Sequence, residues 1–356
     1  MKKLKIAVIG TGGIAKAFHI EALAKMENVE VIALCDIKIE KAQELAKIYN
    51  IANVYENYKD VLEIEELDAV DICTPNYLHS IIAVEALNKG LHVFCEKPDA
   101  VSVEDVLNMK NASEKSNKTL MVMRNNRYWE SSKFLKKYIA DGKMGEVYTG
   151  RCGWIRRRGI PGKGGWFTTK EQSGGGPLID LGVHMLDLSI WLMGNPTPVS
   201  VTGCTYTKFA NSEDESDSEH SMFGEANKDG IFDVEDLAIG FIKFNNGASL
   251  QLEFSWASNI EQEDHFVELR GTKAGSSWHN ADNNRLKIFA QENGQTIDIN
   301  PNLNTNTNNH ALNLKHFVDV VLNNEKPDFE PQQGVNMIKI LQALYESAKT
   351  GREIAL

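Results

Sequence analysis

The feature that most constrains this chain is the regular alternation of short apolar runs with helical segments in its first part. The apolar runs, rich in β-branched residues, predict strands at Lys5–Ile9, Val29–Cys35, Ala69–Cys73, His92–Cys95 and Leu120–Met123. The segments between them predict helices over Ile14–Met26, Lys38–Tyr49, Ser80–Lys89 and Glu104–Glu114. Strands that are apolar throughout and alternate with helices predict a doubly wound parallel sheet covered on both faces.

The pattern changes near residue 125. The run Leu250–Trp256 alternates apolar and polar residues, and Asn246-Gly247 predicts a hairpin turn that joins it to a strand at Leu237–Phe244. Further strands are predicted at Val147–Arg151, His265–Gly271 and Arg285–Ala290, and helices at Ser132–Ala140, Pro177–Met193, Ala311–Asn323 and Gly334–Lys349. We therefore expect a second α/β domain with a large, open, mostly antiparallel sheet. The expected domains are residues 1–124 and 125–356.

Charge and cysteine content limit the partners and the compartment. The formal net charge of −11 argues against nucleic acid or an anionic membrane as a partner, and no run approaches the roughly 20 apolar residues that span a bilayer. The five cysteines form no C-x-x-C pair, which favours free thiols in the reducing cytoplasm. The acidic run Glu213–Glu219 predicts a solvated loop.

A glycine-rich segment follows the first strand and opens the first helix. It reads Gly10-Thr11-Gly12-Gly13-Ile14-Ala15, the G-x-G-x-x-A pattern that lets backbone amides at a helix N-terminus approach a pyrophosphate. Asp36 ends the next strand, where a carboxylate accepts hydrogen bonds from the ribose hydroxyls of NAD and repels the 2′-phosphate of NADP. Lys38 keeps NADP possible. The alternative is a plain strand–turn–helix.

Polar residues also follow two later strands of the first domain. Thr74-Pro75-Asn76 and His79 come after Ala69–Cys73, and Glu96-Lys97-Pro98 comes after His92–Cys95. In an open parallel sheet the loops after strand C-termini line the ligand crevice. Position alone would allow Lys97 to be an ordinary surface lysine.

These motifs, in this order, are followed by a third element that completes a family pattern. It is Gly174-Gly175-Gly176-x-x-x-Asp180-x-Gly182-x-His184-x-x-Asp187. Together with the Asn125-Asn126-Arg127-Tyr128 segment, the whole chain resembles the glucose–fructose oxidoreductase/inositol dehydrogenase (Gfo/Idh/MocA) family. The resemblance implies a Rossmann domain followed by an α/β domain. It also implies NAD(P)-dependent oxidation of a secondary hydroxyl, or reduction of the matching ketone, on a sugar, cyclitol or related polyol.

The resemblance implies a role for each matching residue. Lys97 is the catalytic lysine, His184 the proton acceptor or donor, Asp180 the third polar group, and Asn125 a substrate contact. The implied cofactor residues are Gly10, Thr11, Gly12, Gly13, Ile14, Asp36, Thr74, Pro75, Asn76, His79, Glu96 and Lys97. The chemistry is consistent, because histidine titrates near neutral pH and a lysine ammonium stabilises a developing alkoxide.

Other roles for some of these residues are possible. Four residues apart, Asp180 and His184 share one helix face, and His184 could instead be a satisfied core histidine. Asp187 is expected to hold structure. Metal and Ser-His-Asp chemistry are not expected, since the sequence has no His-x-x-x-His pair, cysteine cluster or G-x-S-x-G.

The predicted loop Arg156–Gly176 borders the nicotinamide and substrate in the family. Arg156, Arg157, Arg158 and Lys163 could clamp an anionic substrate or pair with acidic groups. Trp166 could stack on a sugar or belong to the core.

The polar face of the second sheet favours a homodimer or homotetramer, as is common in the family. Two other functions are possible on this fold: an NAD-dependent glycosidase and a non-catalytic NAD-binding regulator. The intact set of Lys97, Asp180 and His184 favours net dehydrogenation over both.

Overall fold

A computed structural model of the chain describes residues 3–212, 215–219, 221, 223–279, 285–303 and 307–356. The chain divides into two compact units. The first comprises Met1–Met123 and Asn308–Ile338, and the second Arg124–Thr307 and Lys339–Leu356. The expected second domain, 125–356, therefore contributes a helical segment to the first unit.

The first unit is built on a six-stranded parallel sheet, which confirms the predicted Rossmann fold. Its order is β3-β2-β1-β4-β5-β6, the doubly wound arrangement in which ligands bind beyond the strand C-termini. The strands are β1 (Leu4–Ile9), β2 (Val29–Cys35), β3 (Asn53–Tyr55), β4 (Ala69–Ile72), β5 (His92–Cys95) and β6 (Leu120–Val122). All four residues of β4 are buried, as expected for a central strand between two helical layers.

Helices connect these strands. They are α1 (Ile20–Ala24), α2 (Ile39–Tyr49), α3 (Tyr58–Val61), α4 (His79–Asn88) and α5 (Val103–Ser116). The periodicity of apolar residues predicted most of these helices, but the predicted helix Ile14–Met26 begins as a π turn over Ala15–His19. Both ends of α5 are capped locally: before its start the Ser102 hydroxyl accepts a hydrogen bond from Asp105 N at 3.1 Å, and Asn117 ends the helix in a left-handed conformation.

The second unit contains a nine-stranded sheet in the order β14-β13-β12-β11-β7-β10-β9-β8-β15. Its pairs are antiparallel except for β10 with β7, which are parallel, so the predicted mostly antiparallel sheet is confirmed. The strands are β7 (Val147–Ile155), β8 (Pro198–Tyr206), β9 (Leu237–Phe244), β10 (Ser249–Ser255), β11 (Asp264–Gly271), β12 (Ala274–His279), β13 (Arg285–Glu292), β14 (Gln295–Ile299) and β15 (Ile354–Ala355).

The hairpin of β9 and β10 turns at Asn246-Gly247, as predicted. Gly247 has φ +84°, and Phe244 N donates to Ala248 O at 2.9 Å to close the turn. Leu250, Leu252 and Phe254 are buried on the helix-covered side of the sheet, and Gln251 is exposed on the other side.

The second unit also contains the helices α6 (Glu130–Ala140), α7 (Lys170–Ser173), α8 (Pro177–Asp180) and α9 (Gly182–Leu192). Of these, α8 and α9 pack against one face of the sheet. The single helix expected over Pro177–Met193 is therefore two helices. Leu181 between them keeps helical dihedral angles, and a Cβ on Gly182 would lie 3.3 Å from the ring of Phe254. Glycine thus permits the close approach of α9 to β10.

Two helices near the end of the chain are α10 (Asn309–Asn323) and α11 (Pro331–Thr350). In the first unit, α10 packs Phe317 against Phe94 of β5, with ring centroids 5.3 Å apart. Among the described residues, no helix is both long enough and apolar enough to cross a membrane.

Candidate active site

The glycine loop lies against the loop that follows β4. Gly10 has φ +93°, and a Cβ there would lie 2.6 Å from the carbonyl oxygen of Cys73. Both facts require glycine at this position. A Cβ on Gly12 would meet nothing within 4 Å, so that backbone can be approached closely from outside the chain. Ala15 is fully buried where the helix meets the sheet.

Asp36 is tied to the same loop. Its Oδ2 accepts hydrogen bonds from Thr11 N at 2.8 Å and Thr11 Oγ1 at 2.9 Å, and its Oδ1 accepts one from Lys38 N at 2.8 Å. The half-buried carboxylate is therefore held beside the glycine loop. A carboxylate has about four lone-pair sites, so Asp36 can also accept from ribose hydroxyls.

The loop after β4 places Thr74, Pro75 and Asn76 at the same edge of the sheet. Thr74 Oγ1 is buried and makes no hydrogen bond to any described residue. An unsatisfied buried hydroxyl at the predicted crevice fits a bound polar ligand. Together with the amides of Gly12, Gly13 and Ile14 at the helix start, these residues fit a dinucleotide.

His79 has a different position from the other predicted cofactor residues. It is fully buried, with Nδ1 2.7 Å from Pro98 O and Nε2 2.9 Å from Thr74 O. Burial lowers the pKa of His79, so at neutral pH the ring carries one proton and donates to one carbonyl at a time. His79 thus joins the loop after β4 to the loop after β5.

Lys97 follows a buried carboxylate that holds its backbone. Glu96 is 5% exposed, and its Oε2 accepts a hydrogen bond from Lys97 N at 3.1 Å. The other oxygen of Glu96 lies 2.8 Å from His19 Nε2. Glu96 was expected to bind cofactor, and in the structure both of its oxygens have partners in the chain. His19 was missed; its one signal was a histidine in a largely apolar helix.

Asp180 and His184 lie on adjoining helices of the second unit. Trp256 Nε1 donates to Asp180 Oδ2 at 3.0 Å, and the ring of His184 lies 5.7 Å from that of Trp154 between centroids. Both predicted site residues are half-buried, so they are accessible yet fixed by aromatic neighbours.

Aromatic side chains form a row on the helix-covered face of the nine-stranded sheet. Trp154 on β7 is the cross-strand neighbour of His265 on β11, with ring centroids 4.4 Å apart. His265 in turn lies 5.9 Å from Trp278. The guanidinium of Arg156 lies 5.0 Å above the Trp154 ring. Trp154, His265 and Trp256 were not among the predicted site residues, although period-2 alternation could have placed Trp154 on the same face as Cys152.

The cationic loop is paired largely within the chain. Arg158 Nε lies 3.4 Å from Asp217 Oδ1, and Lys163 Nζ lies 3.8 Å from Asp217 Oδ2. Asp217 is 2% exposed, so the expectation that Glu213–Glu219 is solvated was wrong at Asp217; Glu213 and Asp214 lie outside the described residues. The pairing interpretation therefore holds for Arg158 and Lys163.

Arg156 and Trp166 occupy other parts of that loop. Burial lowers the pKa of Arg156, while Asp180 and Glu263 act in the opposite direction. Arg156 is therefore electrostatically linked to a predicted catalytic residue. Trp166 stacks on Phe167 with centroids 3.8 Å apart, and both rings are half-buried.

Asn125 lies in a segment held by a buried ion network. Asp187 accepts from Arg124 Nε at 2.9 Å, from Arg127 Nη2 at 2.6 Å and from Arg127 Nε at 2.8 Å. The structural role expected for Asp187 matches these contacts. Asn125 itself is 7% exposed, and its Oδ1 has no hydrogen-bond partner among the described residues.

The triple glycine before α8 accommodates two close neighbours. A Cβ on Gly175 would lie 2.0 Å from the Tyr345 hydroxyl, and one on Gly176 2.0 Å from Glu235 O. Glu235 is buried and accepts hydrogen bonds from Gly176 N at 3.0 Å and Leu178 N at 3.1 Å at the start of α8. The glycines thus let the helix that carries Asp180 begin against Glu235.

The structure describes one group of buried potential metal ligands: His19, Asp71 and Cys73, with ligand atoms within 4.8 Å of one another. Both ring nitrogens of His19 already lie within 2.9 Å of carboxylate oxygens. Burial and Asp71 raise the pKa of Cys73 to about 12, so the sulfur is a thiol at neutral pH. The distances from the His19 nitrogens to the two carboxylates are those of hydrogen bonds.

Comparison with known proteins gives consistent matches over both units. Residues 4–124 match the family described as "Oxidoreductase family, NAD-binding Rossmann fold", and residues 136–356 match "Oxidoreductase family, C-terminal alpha/beta domain". The chain is 33% identical to D-glucoside 3-dehydrogenase of Escherichia coli K12 over 99% of this chain and 97% of that protein. It is 27% identical to levoglucosan dehydrogenase of Pseudarthrobacter phenanthrenivorans over 82% of this chain and 78% of that protein. A solved levoglucosan dehydrogenase in complex with NADH shares the fold, with a TM-score of 0.86, 21% identity and 99% coverage of each chain.

Proposed function

The chain belongs to the Gfo/Idh/MocA oxidoreductase family, and we propose that it oxidises a ring hydroxyl of a glucoside-type sugar, or reduces the matching ketone, with Lys97 and His184 as catalytic groups. NAD is its cofactor, as the NAD-binding family domain indicates. The substrate class rests on the full-length similarity to D-glucoside 3-dehydrogenase. The observation that supports the site is that Asp180 and His184, on adjoining helices, are each held by a tryptophan: Trp256 donates to Asp180, and the Trp154 ring lies beside His184.

The reaction needs a hydride acceptor, a proton acceptor and a group that stabilises negative charge on oxygen. NAD, when bound, supplies the hydride acceptor. The imidazole of His184 takes the hydroxyl proton, because its ordinary pKa lies near working pH. The ammonium of Lys97 stabilises the alkoxide that develops as the proton leaves.

The residues around Asp180 support a role for its carboxylate in orienting a sugar. Trp256 Nε1 holds one carboxylate oxygen in place, and a carboxylate so held can accept a hydrogen bond from a substrate hydroxyl. The Trp154 ring beside His184 offers an apolar face to the C–H groups of a pyranose. The buried Asn125 Oδ1 supplies a further acceptor for a hydroxyl.

The proposal is tested by NADH formation at 340 nm with a panel of glucosides, free aldoses and cyclitols. Lys97→Met and His184→Asn are each expected to lower kcat about a hundredfold, while NAD still raises the melting temperature. Lys89→Met, which removes an exposed lysine paired with Glu63, is the matched control. Undiminished turnover in either site variant would remove that residue from the mechanism.

The same assay separates the other functions possible on this fold. Cleavage of a glycoside without NADH accumulation would identify an NAD-dependent glycosidase. Binding of NAD without turnover of any panel member would identify a regulator.

We also propose a cytoplasmic homodimer or homotetramer that pairs through the uncovered face of the nine-stranded sheet. That face carries Ile239 and Phe289, which are 38% and 43% exposed, beside the Arg151–Glu268 ion pair at 2.6 Å. Light scattering on the purified protein tests this, and a species of about 40 kDa, the 39.7 kDa chain mass, would reject it. Fractionation of the source cells tests the compartment, which is supported by four buried free thiols.

A further inference from the structure

A fully buried histidine bridges two carboxylates beneath the loop that carries Lys97. His19 has no exposed side-chain surface. Its Nδ1 lies 2.9 Å from Asp71 Oδ2, and its Nε2 lies 2.8 Å from Glu96 Oε1. Asp71 belongs to β4 and Glu96 directly follows β5, so the ring links two neighbouring strands at the edge where the predicted cofactor crevice lies.

The two contacts determine the charge of the ring. An ionised carboxylate only accepts hydrogen bonds, and a neutral imidazole has a single N–H. Two ionised carboxylates, one within 2.9 Å of each ring nitrogen, both receive a hydrogen bond only from an imidazolium. His79 shows the contrast, since its two partners are uncharged carbonyls and burial lowers its pKa.

The surroundings of His19 favour this charge. Burial is the largest single effect and lowers the pKa of His19, but the interactions with Asp71 and Cys73 together outweigh burial and raise that pKa well above 6.5. Burial would raise the pKa of Glu96, yet His19 and Lys97 lower it to about 2. The other titratable neighbours are uncharged at neutral pH: Cys73 is a thiol, and burial lowers the pKa of His310 on α10 to about 4.

Glu96 links His19 to the backbone of Lys97. Its Oε2 accepts from Lys97 N at 3.1 Å while its Oε1 is held by His19. His19 itself ends the π turn that begins at Ala15, directly after the glycine loop. Single π turns within α-helices are frequently found at functional sites. The backbone of Lys97 is thus connected through two side chains to the helix that starts at the dinucleotide loop.

We propose that His19 is a positioning residue for Lys97: its imidazolium bridges Asp71 and Glu96, and Glu96 in turn holds the backbone of Lys97. The proposal rests on the catalytic role proposed above for Lys97. The π turn, the buried carboxylates and the Glu-Lys pair then act together, and they fix Lys97 relative to the glycine loop.

The charge is tested first, by nitrogen NMR of the holoenzyme labelled at histidine, with His19→Gln used for assignment. Both His19 nitrogens are expected to stay protonated from pH 6 to 9. In Glu96→Gln the new amide can donate to Nε2, which is then expected to lose its proton. One unprotonated His19 nitrogen in the wild type at pH 7 would overturn the proposal, whatever the activity of the enzyme.

Unfolding gives an independent measure. The raised pKa of His19 means that, above the unfolded value of 6.5, the folded state keeps a proton that the unfolded state has released. The ratio of the equilibrium constant for unfolding of the wild type to that of His19→Gln should therefore rise about tenfold per pH unit above pH 6.5. Parallel pH dependence in the two proteins would contradict the buried imidazolium.

Kinetics test the positioning. His19→Gln is expected to lower kcat at least about tenfold with NAD affinity changed less than about threefold, because the Lys97 backbone loses its support. His316→Gln is the matched control: its nitrogens lie 3.7 and 3.6 Å from Glu325 and Asp328, and its side chain is 19% exposed. An unaltered kcat in His19→Gln would refute positioning. If Lys97→Met also retained activity, the proposed function would fail instead.

Discussion

Replacing Asp187 by asparagine is expected to destabilise the second unit by about 3–5 kcal/mol, because the change leaves two buried guanidinium groups without their counter-ion. Asp187, Arg124 and Arg127 are 5%, 4% and 2% exposed. The aspartate accepts three hydrogen bonds of 2.6 to 2.9 Å from the two arginines. An asparagine keeps the shape but has one acceptor oxygen and turns an N–H group toward a guanidinium.

For a unit of roughly 200 residues, each kcal/mol corresponds to about 2–4 °C, so the melting temperature should fall by roughly 6–20 °C. Urea unfolding at pH 7 measures the free energy. Asp141→Asn is the control, since Asp141 pairs with Lys137 at 3.1 Å at an exposed helix end and such pairs contribute little. A loss below about 1 kcal/mol in Asp187→Asn would refute the reasoning.

A triple variant separates charge from packing. Changing Asp187 to Leu together with Arg124→Met and Arg127→Met removes all the buried charges, and this is expected to recover much of the stability lost in Asp187→Asn. Activity should not recover with it, because the segment that carries Asn125 loses its fixed position beside α9. Recovery of both stability and kcat would show that the network has no role in positioning.

Three further predictions follow from local geometry. Gly10→Ala should cost at least about 2 kcal/mol and remove the thermal shift caused by NAD, because a Cβ would lie 2.6 Å from the Cys73 carbonyl oxygen at φ +93°. In steady-state kinetics, Trp154→Ala should raise the KM for the sugar about tenfold with a smaller change in kcat. A change in kcat larger than the change in KM would mean that His184 is displaced. Because the pKa of Glu96 falls from 4.5 to about 2 on folding, its stabilisation is present above pH 4.5 and lost as pH falls to about 2. Urea unfolding at pH 6 and pH 3 should therefore show the wild type losing stability relative to Glu96→Gln.

The strands of the Rossmann sheet were predictable because each is a continuous apolar run between helical segments. β2 and β5 match their predicted bounds at both ends. β3 was missed because Asn53–Tyr55 has three residues, none of them buried, and β2 is its only partner among the described strands. The π turn at Ala15–His19 could not be predicted either, because its hydrophobic pattern is that of an ordinary helix.

For the candidate site, sequence motifs identified the groups proposed to carry the chemistry but not the residues that hold them in place. Lys97, Asp180 and His184 were recognised because they match the family motifs, whereas His19, Trp256 and Trp154 were not recognised. These supporting residues contact the motif residues through long-range packing, such as the 76-residue separation between Trp256 and Asp180. The same limit explains Asp217: a residue in an acidic run is buried because Arg158 and Lys163, far away in sequence, approach it.

The two units support their proposed catalytic residues in similar ways. In the first, the buried ions His19, Asp71 and Glu96 end at the backbone of Lys97. In the second, Arg124 and Arg127 form buried ion pairs with Asp187, which follows His184 by three residues on α9. Buried ion networks are often neutral or unfavourable for stability compared with apolar packing, so stability alone does not account for either. Their directional hydrogen bonds do fix backbone position more tightly than apolar contacts, which is what a site that acts on one hydroxyl among several requires.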